Sequence, residues 1–410
     1  MLAMPMLPLP LSRPHSLSFS IREITGAWDR RRFVRFAGRL YRGDRYWSPG
    51  IISERSNALD PKNPALARLQ LGLFVAESRT LDEIVGTVAV WVDSRGDATR
   101  SAPRTGCFGL FEAVNEGDVI SSLLGTAETW VQEHLPGAGG LRGPMDPDPC
   151  RSPGLLVDGY NHKPAILMPY NPPYYAELIE QAGYEPGAEL LAYQLDLSAL
   201  RDPLSLEVVR LQAEARAVEA RRGLVIREIG GEPDWRTILP QAEHGLADAT
   251  WRLSPDSPAV TFSEVLLHLR RIAGRQPPAI TLAACTGEDG GAVALGVAAP
   301  NIRQSALAAL GKRLTNRRPA GKQSVVPMGM ASRRARKAGI RLMPAIVRTD
   351  CLAWGLEASI RTELLIRATQ QGHAVAEVSP MPFGDLMARD DLAALGARPY
   401  KTYAIYEKKF

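Results

Sequence analysis

The chain has 410 residues, 45% of them hydrophobic and 23% charged, with a formal net charge of +5. Such a length accommodates two or three domains with full cores, and no apolar run reaches the roughly eighteen residues of a membrane helix. Cys107, Cys150, Cys285 and Cys351 are far apart with no CxxC pair, and the histidines lack HxH and HxxxH spacing. Reduced thiols in a cytoplasmic, metal-free protein that does not engage a membrane are therefore expected.

Residues 1–18 read as a disordered tail. Their apolar start is broken by Pro5, Pro8, Pro10 and Pro14, which also argues against a signal peptide. Ile84–Val92 reads as a β-branched strand, half-buried by alternation, and Gly106–Glu112 as a second strand. A helix follows from about Asp118, because Val119, Leu123, Leu124, Ala127, Trp130 and Val131 share one face. A short helix ends at Gly183, and Leu190–Leu195 is a closing strand.

Leu204–Arg222 reads as a linking helix ahead of the strand Leu224–Arg227, so the domain boundary falls near residue 200. The same grammar then returns. Ile280–Cys285 and Ala292–Ala299 are paired strands, and a helix runs from Leu356 to Gln371. The strand Ala374–Val378, a short helix ending near Gly396 and the terminal strand Tyr400–Tyr406 complete the chain. The predicted fold is thus mixed α/β in two copies, residues 19–200 and 201–410, with a basic insertion at 300–348.

That insertion holds the chain's charge asymmetry. Between Gly290 and Thr349 there is no Asp or Glu, yet there are twelve Lys and Arg. The rest of the chain sums to −7 (49 − 12 = 37 basic against 44 acidic). A concentrated basic field calls for a polyanionic partner.

The runs Gly154–Gly159 (GLLVDG) and Met168–Tyr175 (MPYNPPYY) resemble the signature of a bacterial family of tandem GNAT-superfamily proteins. Tyr41–Pro49, Leu59–Pro64, Gly106–Glu112 and Tyr400–Lys408 agree with it. The resemblance implies two tandem GNAT-like acyltransferase domains. It also implies an acyl-CoA donor held by a Gly/Arg-rich loop at a helix start, with no metal.

The chain departs from that pattern in both halves. The first donor loop, Ala113–Gly117, is acidic, so donor binding is not expected there. The second, Arg348–Gly355, keeps one Arg and one Gly. Ile179 and Leu392 stand where a general-acid tyrosine is usual in the family.

The candidate catalytic residues are Asp158, Glu112 and Tyr175. Asp158 ends an apolar run that would bury it and raise its pKa. Glu112 ends the strand that the resemblance places beside the reacting thioester, where a carboxylate serves as base through a water or instead faces solvent. Tyr170, Asn171 and Tyr174 are candidates for substrate binding. The competing reading of the same octamer is a helix start, with Asn171 as N-cap and Pro172 at the first helical position.

Arg333, Arg334, Arg336, Lys337, Arg348 and Gly355 are the candidate donor-binding residues. Asp146 and Asp148 read either as paired carboxylates or as solvated turn residues. Three functions stay open at this point. One is acyl transfer from acyl-CoA to an amine or hydroxylamine of a small-molecule acceptor. Another is aminoacyl transfer from tRNA, as in antibiotic and other natural-product biosynthesis, which the excess of basic residues favours. The third is a non-catalytic ligand-binding scaffold.

Overall fold

The structure, a computed structural model, describes residues 17–47, 52–63, 66–80, 83–93, 104–148, 151–202, 205–229, 250–252, 260–261, 279–287, 290–301 and 339–410. The predicted tail up to residue 16, Cys150 and the basic residues from Arg303 to Lys337 lie outside the described residues.

The first half runs β1 (Phe19–Glu23), α1 (Ala27–Leu40), α2 (Ile52–Ala58), β2 (Leu69–Ser78), β3 (Ile84–Asp93), β4 (Gly106–Ala113) and α3 (Gly117–His134). It continues with β5 (Gly140–Met145), β6 (Leu155–Asp158), α4 (Tyr174–Gln181) and β7 (Glu185–Asp196). Beyond a 3-10 turn at Leu197–Leu200 come α5 (Leu206–Arg222), β8 (Leu224–Glu228), β9 (Thr250–Arg252), β10 (Val260–Thr261), β11 (Ile280–Thr286) and β12 (Ala292–Pro300). The chain ends with β13 (Ile340–Leu342), β14 (Ile346–Arg348), a 3-10 turn at Thr349–Trp354, α6 (Leu356–Gln370), β15 (Val375–Pro382), α7 (Leu386–Ala394) and β16 (Arg398–Lys409).

β1 to β4 form an antiparallel meander, and β5 joins β4 in parallel. α3 lays Val119, Leu123, Ala127 and Trp130 on one face of the meander, in a core with Val88 and Val90. α1 covers the other face with Phe33 and Phe36, which share a core with Ala89 and Trp91. β3 is therefore buried along nearly its whole length, not half-buried as alternation suggested. Small and β-branched residues on both sides of the strand allow helices on both faces.

The strand connections cross between the halves. β16 pairs antiparallel with β5 (Tyr406↔Gly143), with β6 (Tyr403↔Leu156) and with β7 (Thr402↔Leu191). β7 in turn pairs with β15 (Tyr193↔Val378). The last strand of each half thus lies beside the parallel strand of the other half. The described strands join one mixed sheet. The chain position predicted for the boundary lies between β7 and α5, but the pairing does not stop there.

Register exposes the internal repeat. In the first half Trp91↔Cys107 leads to Thr87↔Glu112, so 112 − 107 = 5 steps on β4 match 91 − 87 = 4 on β3. In the second half Ala299↔Arg341 leads to Leu295↔Ile346, so 346 − 341 = 5 steps match 299 − 295 = 4 on β12. Both halves carry the same one-residue bulge at the same place. Cys107 pairs with Arg142 on β5, as Arg341 pairs with Glu377 on β15. The position equivalent to Glu112 is therefore Ile346.

Candidate active site in the first half

The bulge in β4 shapes the site. Gly109 is the last residue of β4 paired with β5, opposite Met145. A Cβ on Gly109 would lie 1.8 Å from the Met145 carbonyl oxygen, so only glycine permits this approach. The next residue, Leu110, has φ 44. This left-handed conformation is held inside the bulge, and the Leu110 carbonyl accepts a bond from Thr87 Oγ1 at 3.3 Å. Beyond it, Leu110–Ala113 run on without β5 as a partner, since β5 ends at Met145.

Glu112 stands in that stretch. Tyr41, at the C-terminal end of α1, donates to Glu112 Oε2 at 2.7 Å, and Tyr175 on α4 donates to the same oxygen at 3.0 Å. Among the described residues no donor reaches Oε1. Burial pushes the carboxyl from 4.5 up to about 7, against the pull of the two hydroxyls and the nearby Arg55 charge. Glu112 still keeps part of its surface open.

The surrounding groups are fixed in turn. Ala113 N–H donates to the Tyr175 hydroxyl at 2.7 Å, and the Tyr174 hydroxyl donates to the Ala113 carbonyl at 2.7 Å. The two tyrosines occupy backbone groups that a longer β5 would otherwise pair. Tyr41 stacks on Trp47 at 5.0 Å and also reaches the Tyr170 carbonyl at 3.2 Å. The Tyr170 hydroxyl donates to Asp44 Oδ2 at 2.8 Å, while Asp44 Oδ1 accepts from the Tyr46 and Trp47 amides. Arg55 on α2 pairs with Asp146, just past β5. Burial opposes the Arg55 charge, and Asp146, Asp148 and Glu112 together outweigh it and hold the guanidinium protonated.

Of the predicted residues, the structure brings Glu112, Tyr170, Tyr174 and Tyr175 together. Burial, then Glu112, holds the Tyr175 hydroxyl well above the usual phenol range, so it stays protonated and acts as a fixed donor. Asn171 is not a helix cap. Its carboxamide accepts from Leu156 N at 2.7 Å and donates to Leu156 O at 3.1 Å, and α4 begins three residues later. The two prolines after Asn171 delay the helix, which frees its side chain to dock on β6.

Asp158 is exposed at the end of β6 rather than partly buried, because β6 stops there and its side chain points outward. Asp146 and Asp148 do not act as a free carboxylate pair, since Asp146 is engaged by Arg55. Ile179 and Leu392 are both fully buried core residues.

The donor-binding candidates fare differently. Arg333, Arg334, Arg336 and Lys337 lie outside the described residues. Arg348 forks onto Asp350 at 2.6 and 2.9 Å, and Thr349–Trp354 winds into a 3-10 turn before Gly355, the N-cap of α6. Arg341, counted in the basic stretch, is 1% exposed and faces the interior. These two described cations therefore do not form a joint phosphate-gripping flank. The first loop places Glu116 and Asp118 at the start of α3, where the helix end already has its negative charge.

Tyr41, Trp47, Asp44 and Arg55 belong to the site, although none was singled out as a site residue from the sequence. Aromatic and charged residues cluster at 41–47, but nothing in their spacing reports that this segment meets residues 112 and 170.

No family model matches the chain. It is 26% identical to "Protein YghO" of Escherichia coli (strain K12), over 99% of both chains. It is 30% identical to "Bacterial ceramide synthase" of Caulobacter vibrioides over 167 residues, covering 40% of this chain and 42% of that protein. Among solved structures it resembles a tandem GNAT protein from the clavulanic acid biosynthesis pathway, with a TM-score of 0.53 and 12% identity over 96% of this chain and 98% of that one. Two GNAT-like modules in tandem, joined in one mixed sheet, are the fold of this chain.

Proposed function

We propose that the protein is an N-acyltransferase with a single reacting centre, in its first half, that moves an acyl group from acyl-CoA to the amine of a long-chain amino alcohol. The observation that carries this reading is Glu112. It is a carboxylate on the stretch of β4 that runs past the end of β5, poised near neutrality and braced by two hydroxyls on one oxygen. A base matched to working pH is what removal of an ammonium or amine proton requires. Ile346 at the equivalent position of the second half has no such chemistry.

In this scheme Oε1 of Glu112 takes the proton as the acceptor nitrogen attacks the acyl carbonyl. The carbon–nitrogen bond forms, the carbon–sulfur bond breaks, and the thiolate leaves with the electron pair. Tyr41 and Tyr175 hold Oε2, which fixes where Oε1 points. The likeness to a protein named ceramide synthase favours a long-chain amine and a long-chain acyl donor.

The test is product analysis. Purified protein is given palmitoyl-CoA with sphinganine, glucosamine or a short alkylamine, and amides are read by mass spectrometry. A sphinganine amide is the expected product. Amide formation only with the other amines would overturn the acceptor assignment.

Donor phosphates need cations that the two described loops do not supply, and the residues at 333–337 remain the proposed source. The pair Arg333→Glu/Arg334→Glu is expected to raise the donor Kd about tenfold or more, with an unchanged melting temperature. Calorimetry with CoA checks this, and unaltered affinity would remove these residues from the donor site.

One observation favours a second donor class: twelve basic residues in one stretch exceed what one pyrophosphate and one 3′-phosphate need. An aminoacyl-tRNA donor predicts RNA binding that falls steeply between about 50 and 200 mM salt.

A further inference from the structure

Arg341 lies in the second half, on β13, yet its guanidinium serves the first. It is fully enclosed and donates to the carbonyl of Ile166 and the hydroxyl of Ser152. It also donates to Ser379 on β15, to the hydroxyl at 3.2 Å and the carbonyl at 3.1 Å. Ser379 Oγ bonds Glu377 at 2.7 Å, and Tyr400 donates to the other Glu377 oxygen at 2.5 Å. A buried guanidinium with a carboxylate one hydroxyl away is a rigid anchor, since leaving either charge alone is costly.

The anchor grips a short strained segment. Leu167, next to Ile166, has φ 62, a left-handed conformation that a branched side chain disfavours. Ser152 N donates to the Leu167 carbonyl at 3.1 Å, and Ile166 N donates to Asn301 Oδ1 at 2.9 Å. Three residues beyond Leu167 stands Tyr170, whose carbonyl oxygen lies 3.2 Å from the Tyr41 hydroxyl, the group that donates its proton to Glu112. A continuous path of bonds and backbone therefore runs from the second half to the candidate base.

We propose that Arg341 is a positioning residue: through Ile166 and Ser152 it locks the 165–170 segment, and so sets the Tyr41–Glu112 geometry across the seam between the halves. The second half, without a carboxylate of its own at Ile346, thereby works as the brace of the first. This inference rests on Glu112 being the reacting base.

The experiment uses the full-length protein with Arg341→Met, and with Ser152→Ala plus Asn301→Ala as a milder second variant that keeps the buried arginine. The expected result for Arg341→Met is a kcat about 10- to 100-fold lower, because small misplacements of a catalytic group cost that much, with donor KM within about twofold. Arg341→Lys should recover only part of the loss, as it keeps the charge and loses the fork. Hydrogen exchange at residues 165–172 should quicken in each variant. A variant that melts like the parent and keeps both kcat and the exchange pattern would overturn the proposal. If Arg341→Met does not fold, the double alanine variant decides on the same two readouts. Faster exchange with activity insensitive to Glu112→Gln would instead leave the clamp standing and remove the base assignment.

Discussion

Glu112→Gln is expected to lower kcat/KM for N-acylation by about 10²- to 10⁴-fold, the range typical for loss of a general base. The amide is nearly the same size and can still meet the Tyr41 and Tyr175 hydroxyls, so the site keeps its shape while losing the ability to take a proton. The pH dependence is equally specific. In the parent, kcat/KM should rise about tenfold per pH unit below a midpoint near 7 and level off above it, since Glu112 must be ionised to act. The residual activity of the variant should lack that limb. A Glu112→Gln enzyme with parental rate and profile would end the proposed mechanism.

Stability should move the opposite way. The Glu112 carboxyl is raised in the fold from 4.5 to about 7, mainly by burial. Its contribution favours the fold fully below about pH 4.5 and is lost as pH rises through 7, where a crowded carboxylate must be tolerated. A difference of that size corresponds to about 3 kcal/mol. Denaturant unfolding should therefore show Glu112→Gln more stable than the parent at pH 8, by up to that amount, with the gap closing at pH 4. Gain of stability together with loss of activity is what a strained functional group predicts.

Removing Arg398–Phe410 is expected to abolish folding of both halves. β16 fills the slot between β5, β6 and β7, and its Lys401, Tyr403, Ala404, Ile405 and Tyr406 are buried. Burial of side chains such as Tyr403, Ile405 and Tyr406 stabilises by about 1.5–3 kcal/mol each, and a typical domain has only about 5–15 kcal/mol in total. The backbone partners of three strands would also be left unpaired.

The same logic applies to fragments. Residues 1–202 made alone should aggregate or stay unfolded, whereas co-production with 203–410 should yield a soluble complex, read by co-purification and circular dichroism. A cooperatively folding 1–202 fragment would contradict the strand exchange.

Much of the local architecture was legible in the sequence. The periodicity of residues 118–131 placed α3, the β-branched run at 84–92 placed β3, and the apolar pairs at 280–285 and 292–299 placed β11 and β12. Glycine at 183 and 396 marked helix ends, each with positive φ. These are short-range signals, because helix faces and turn conformations depend on neighbours a few residues away. Glu112 and the three tyrosines could be nominated as site residues because carboxylates and phenols have chemistry wherever they sit.

What the sequence could not report was which distant groups meet. Residues 41 and 112 are joined by one hydroxyl, and residues 166 and 341 by one guanidinium, across spans that leave no periodic trace. Asn171 looked like a helix cap and Asp158 like a buried carboxylate, because local context was all there was to read. Tertiary packing docked the first on β6 and left the second in solvent. Sequence by itself determined the long helices and the central strands of each half, the shared short-helix-then-strand ending of the two halves and the lopsided charge, but not α1 and α2, which carry Tyr41 and Arg55. Only the tertiary structure decided that β7 and β16 change places and that the carboxylate of one half is matched by isoleucine in the other, because strand pairing and burial are set by contacts between residues hundreds of positions apart.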